Sequence, residues 1–250
     1  VNDIAPASPA GVEARPAPRL ELMETVGEPV TGIVLAGGQS MRMGHDKAWV
    51  ELAGRPLALW VLDALRAVSD HQIIVAREPG RLETLGVRVV PDRFRKRGPL
   101  TAIHAGLKAA KSELCLVVAC DMPLVRPALL AHLAAAVGPL HAAVPYIGEG
   151  QLPKDVPGGT LVTARDAGPQ PMLAAYRRSC IVPIEKLLMG GAVPTTAVLS
   201  VLKVRIVAPD EWRGYDPDGR SFFNVNTYED LIEAARIVAG PESEGDVGAV

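Results

Sequence analysis

The three cysteines of the chain, Cys115, Cys120 and Cys180, are few, odd in number and without metal-ligand spacing. They are expected to be buried, reduced thiols of a protein from the cytoplasm. Positive charge is not in excess either: 26 Lys and Arg face 28 Asp and Glu, a net charge of -2, which argues against a nucleic-acid partner. No apolar run approaches the roughly 20 residues of a membrane-spanning helix, so no membrane partner is expected. No Ser-His-Asp or Cys-His arrangement stands out, and chemistry through a side-chain nucleophile is not indicated. Residues 1–28 carry Pro6, Pro9, Pro16 and Pro18, show no hydrophobic period, and lack the basic start and apolar centre of a secretory leader. They read as a disordered extension, and 241–250 as a flexible tail. Residues 29–240 are expected to fold as one domain, long enough to bury a substantial core.

What is present is concentrated in one stretch. The run Val30-Thr31-Gly32-Ile33-Val34-Leu35 is β-rich, bounded by Pro29 and Gly37, and reads as a buried first strand. It runs directly into Ala36-Gly37-Gly38-Gln39-Ser40-Met41-Arg42-Met43-Gly44-His45-Asp46-Lys47. Glycines let backbone approach a ligand closely, and consecutive N–H groups in such a loop cradle anions. Arg42 and Lys47 add a planar fork and a movable point charge, so the expected guest is rich in phosphate. The spacing is not that of a Walker A loop, since His45 rather than Lys follows Gly44; nor does Gly37-Gly38-Gln39 open a dinucleotide fingerprint.

Downstream, Pro56 to Val68 has helical spacing, while His71 to Ala76 and Val87 to Val90 read as buried strands. This order is the repeat of a mostly parallel α/β sheet. Asp92 follows the third strand and opens a basic loop (Arg93, Arg95, Lys96, Arg97) that ends in Gly98-Pro99-Leu100. Such a run is either a solvated face or an anion contact at the ligand-binding edge of the sheet. His104 and Tyr176 read at least as readily as packing residues as ligand contacts. Leu114 to Cys120 is a strongly apolar strand ending at Asp121-Met122-Pro123. Asp121 is either a cap for the following helix, Pro127 to Val137, or a carboxylate facing the crevice, where Mg²⁺ would arrive with a nucleotide. Ala142 to Tyr146 is a further strand, 148–168 a long excursion, and Val201 to Val207 a late strand. In Phe222-Phe223-Asn224-Val225-Asn226-Thr227 the asparagines suit turn chemistry, and Thr227 starts a helix from about Tyr228 to Val238.

The stretch from Leu35 to Ala48 resembles the signature loop of the molybdenum cofactor guanylyltransferases, which attach GMP to molybdopterin. The strand ending Ala119-Cys120-Asp121-Met122-Pro123 resembles that family's metal-binding motif. Gly98-Pro99-Leu100 with Ala105-Gly106-Leu107 resembles a second motif, and Asn224-Val225-Asn226-Thr227 a third. Together the likenesses cover about residues 30–240, and the connection at 148–168 departs from the family pattern.

The resemblance implies a Rossmann-like three-layer α/β/α nucleotidyltransferase fold. It implies GTP and molybdopterin as substrates, Mg²⁺ as cofactor, and passing contact with other cofactor-biosynthesis proteins or molybdoenzymes. Leu35, Ala36, Gly37, Gly38, Lys47, Asp92, Gly98, Pro99 and Asp121 would bind the nucleotide. Arg42, Lys47 and Asp121 would be catalytic, with Asp121 holding the metal and Asn224 and Asn226 facing the acceptor. The rivals are a cytidylyltransferase or sugar-phosphate nucleotidyltransferase of the same fold, and a GTP-binding module without turnover.

Overall fold

A computed structural model describes residues 24, 26–36, 47–77, 80–92, 98–148, 168–191 and 193–240. The apolar runs become an eight-stranded sheet. Its central path has β1 (Val30–Leu35) between β6 (Leu114–Ala119) and β4 (His71–Ala76), with β5 (Arg88–Pro91) beyond β4. All of these neighbours are parallel. Past β6 lies β9 (Leu173–Arg177), antiparallel both to β6 and to β7 (Ala142–Ile147). A short β8 (Gly168–Pro169) pairs with β7, and β10 (Val204–Val207) closes that side parallel to it. A two-stranded ribbon, β2 (Glu51–Leu52) with β3 (Arg55–Pro56), stands apart.

β1 and β6 are buried at every position, because helices cover both faces. One face packs Val30, Val34, Leu116 and Val118 against α1 (Leu57–Arg66) and α3 (Pro127–Ala136). The other packs Ile33, Leu35, Cys115 and Val117 against α2 (Pro99–Ala109) and α4 (Ile181–Met189). Strand period 2 divides these side chains between two cores, and a three-layer α/β/α arrangement follows. Near the C-terminal end, α5 (Pro209–Trp212) buries Trp212 in the first core, and α6 (Tyr228–Ala239) follows. A third cluster joins Leu52, Leu57, Val225 and Ala234, tying α6 to the ribbon and to the start of α1.

Most elements fall where the apolar pattern places them. The late strand is shorter than expected, Val204–Val207 instead of starting at Val201, because Thr195–Ser200 coils into a 3-10 turn and Val201 continues it. Gln170 to Tyr176 carries a strand that its pattern did not announce: Leu173-Ala174-Ala175 lacks β-branched residues, and pairing on both sides overrides weak propensity. Tyr176 is fully buried with its hydroxyl donating to the Pro171 carbonyl, and is a packing residue. His104 is also packed, at 2% exposure. Most of the 148–168 excursion lies outside the described residues.

Candidate active site

A strand order that leaves β1 for β4 and β5 and then returns to its other side at β6 has its switch point between β1 and β6. Open α/β sheets bind ligands at the carboxyl edge of such a switch. The end of β1 is bonded to both its neighbours there: Ala36 N–H donates to the Val75 carbonyl of β4 at 2.8 Å, and Cys120 N–H, just past β6, donates to the Leu35 carbonyl at 3.0 Å. The Ala36 N–H is therefore engaged in the sheet. Gly37, Gly38 and Arg42 lie outside the described residues, as does the basic run Arg93 to Arg97.

Lys47 opens a short 3-10 turn after the loop, and Asp121 follows β6. The structure brings them together. Lys47 Nζ donates to Asp121 Oδ2 at 3.1 Å and to Asn226 Oδ1 at 2.6 Å. Their side chains are 13% and 18% exposed, so the pair is shielded while remaining open to a ligand. Asp121 does not cap a helix: α3 begins at Pro127 with Arg126 at its N-cap and no side-chain capping bond. Its other oxygen, Oδ1, is buried with no hydrogen-bond partner among the described residues. A buried carboxylate oxygen with nothing to accept from is costly, and a hard divalent cation is a fitting occupant. No group of three or more His, Cys, Asp or Glu among the described residues is arranged to hold a metal. A cation here would rely on the ligand's phosphate oxygens, as Mg²⁺ does with nucleotides.

The third partner comes from far along the chain. Val225 N–H donates to the Asp121 main-chain carbonyl at 2.8 Å, so the Asn-Val-Asn segment is bonded directly to the end of β6. Its approach is organised by Asp216, which is fully buried. That carboxylate accepts from Ser221 N–H at 2.8 Å and Arg220 N–H at 3.2 Å, and pairs with Arg126 Nε at 2.9 Å. Asn224 turns back on its own loop, donating to the Phe222 carbonyl at 3.1 Å. Thr227 and Asp230 close a capping box at the start of α6. The Thr-x-x-Asp spacing of this box is legible in the sequence.

Asp92 lies at the carboxyl end of β5, on the same sheet edge. The Thr101 hydroxyl sits 2.8 Å from Asp92 Oδ2 and 2.7 Å from the Gly98 carbonyl, tying Asp92 to the first turn of α2. Gly98 holds that turn with φ 85°, a conformation that favours glycine, and Pro99 takes the first helical position. His104, one turn further, has a pKa lowered by burial and by Lys108, against the opposing pull of Glu185 and Asp92.

Residues 32–203 match the family described as the MobA-like NTP transferase domain. The chain is 36% identical over 215 residues to the molybdenum cofactor guanylyltransferase of Desulfosudis oleivorans, covering 84% of this chain and 97% of that one. It is 30% identical to the enzyme of the same name from Syntrophotalea carbinolica, over 80% and 88% of the two chains. Molybdopterin-guanine dinucleotide biosynthesis protein A from Archaeoglobus fulgidus superposes with a TM-score of 0.66 at 28% identity, covering 84% and 98%. The 2-C-methyl-D-erythritol 4-phosphate cytidylyltransferase of Thermus thermophilus, at 18% identity and a TM-score of 0.60, shares the fold. Fold and relatives together define an enzyme of the nucleotidyltransferase class. Within that class, the chain belongs to the MobA-like NTP transferase family.

Proposed function

We propose that the protein transfers GMP from GTP to molybdopterin, releasing pyrophosphate and forming the guanine dinucleotide cofactor. The observation that carries this reading is the convergence of Lys47, Asp121 and Asn226 at the switch point of the sheet. The guanine and molybdopterin assignments rest on the relatives' names.

Both reactants are anions, so the barrier to joining them is largely electrostatic. Catalysis then consists of neutralising charge and lining up the attacking phosphate opposite the departing pyrophosphate. Lys47 supplies a cation beside Asp121, and Arg42 a second from the glycine loop. Asp121 would hold Mg²⁺ through its unpartnered Oδ1. The bound ion would act as a Lewis acid on the phosphate oxygens. Leu35, Ala36, Gly37 and Gly38 border the nucleotide. Asp92 and the Gly98-Pro99 turn flank the nucleoside from the neighbouring strand end. Asn224 and Asn226 lie toward the acceptor. No helix among the described residues is long and apolar enough to cross a membrane. The three cysteines are buried thiols without disulfides, which suits a reducing cytoplasm.

Pyrophosphate release measured with molybdopterin and Mg²⁺, from GTP and separately from CTP, tests the assignment. Preference for GTP by a factor of about 100 or more is expected, the size of discrimination that base-edge hydrogen bonds provide. Preference for CTP would replace the base. GTP binding with no pyrophosphate would make the chain a binding module.

A further inference from the structure

Asp230, beside the Lys47 triad, makes one bond more than its helix needs. In the capping box its N–H donates to Thr227 Oγ1 at 3.1 Å and its Oδ2 accepts from Thr227 N–H at 2.8 Å. Those two bonds complete the cap. The same Oδ2 also accepts from Asn226 N–H at 2.8 Å, one residue outside the helix. On the other side of Asn226, Val225 N–H is bonded to the Asp121 carbonyl at 2.8 Å. The backbone at Asn226 is therefore clamped between the end of β6 and the first turn of α6. From that clamped backbone, its side-chain oxygen receives Lys47 Nζ at 2.6 Å.

We propose that Asp230 is a positioning residue for nucleotidyl transfer, acting through Asn226 to hold the Lys47 ammonium beside Asp121. The proposal rests on the assignment of Lys47 to the triphosphate. A lysine is a point charge on a four-carbon stem with much rotamer freedom, so its location depends on the partners that order it. Displacing a transition-state group by about 1 Å can cost on the order of 100-fold in rate. A carboxylate accepting from main-chain N–H groups makes a charge-assisted bond, about twice as strong as a neutral one. It therefore fixes the Asn226 backbone more firmly than a neutral acceptor would. Its negative charge at the first turn of α6 also suits the helix dipole.

The experiment compares the full-length wild type with T227A, D230A and D230N. Melting temperature and the kcat and KM for pyrophosphate release from GTP, with molybdopterin and Mg²⁺, are measured for each. The rate at which acetic anhydride labels Lys47 in the ligand-free chain is followed by mass spectrometry. T227A and D230A each cut one arm of the cap, and each should lower the melting temperature by about 2–4 °C. D230A alone should lower kcat by about tenfold and speed Lys47 labelling, with KM for GTP within about twofold. D230N keeps an oxygen that accepts both N–H groups and should restore most of the rate. If D230A does not fold, D230S replaces it with the same expectation, since a hydroxyl on Cβ is too short to bridge both N–H groups. Equal losses in T227A and D230A, or unchanged labelling in D230A, overturn the proposal. A wild type that releases no pyrophosphate counts against the guanylyl-transfer reading and against the rate effect drawn from it. The labelling then still decides whether Asp230 holds Lys47.

Discussion

Lys47 and Asp121 form an ion pair whose energy matters less than where it stands. An exposed pair contributes about 0–1 kcal/mol and a deeply buried one often barely offsets its desolvation, so stability does not explain it. Charge placement at a ligand edge does. Replacing Lys47 by Ala is expected to lower kcat by about 100-fold or more, comparable to the loss of one preorganised electrostatic donor. A change confined to KM would instead limit Lys47 to ground-state binding. Asp121→Ala should abolish Mg²⁺-dependent turnover while far-UV circular dichroism remains that of the wild type. Retained turnover would remove Asp121 from metal binding. The sequence leaves Asp121 open between helix cap, which Pro123 and Pro127 favour, and ligand carboxylate at a strand end. The N-cap at Arg126 excludes the first for α3, and the turnover of Asp121→Ala decides the second.

Among the elements, α2 shows why one motif reads as it does. Gly106 faces the sheet so closely that a Cβ there would lie 2.7 Å from Ile33 Cγ2 and 3.2 Å from Val75 Cγ2. Ile33 and Val75 are fully buried and β-branched, with little freedom to yield. Gly106→Ala would gain up to about 1 kcal/mol in helix propensity but incur about 1–3 kcal/mol of overpacking. A melting temperature lowered by about 2–4 °C is expected, and a raised one would show that α2 can lift from the sheet. The antiparallel strand β9 is the opposite case, an element hidden in the sequence. Leu173-Ala174-Ala175-Tyr176 carries little strand propensity of its own, and β6 and β7 on either side impose the conformation. Where the apolar runs were long and β-branched, as in β1 and β4, the strand bounds were legible to the residue.

In the molecule as a whole, burial of His104 links folding to pH. Its folded pKa lies below the ordinary 6.5, lowered by burial first and by Lys108, while Glu185 and Asp92 oppose. As pH falls through about 6.5 the unfolded chain takes up this proton before the folded chain does. This contribution to stability is therefore lost as pH drops below 6.5, and the loss stops only below the folded value. His104→Gln should shrink the drop in melting temperature between pH 7.5 and pH 5.5 relative to the wild type. An unchanged drop would show that other groups carry the acid sensitivity.

Reading residues in order was enough for the α/β class and for most strands. These are local properties, written in the period of apolar and β-branched residues. The meeting of Lys47 with Asn226 and the bond from Val225 to Asp121 belong to tertiary structure alone. They depend on a sheet that doubles back past its first strand and on the cluster of Leu52, Leu57, Val225 and Ala234 that seats α6. Contacts between residues so far apart in the chain leave no periodic trace, because packing at a distance sets them.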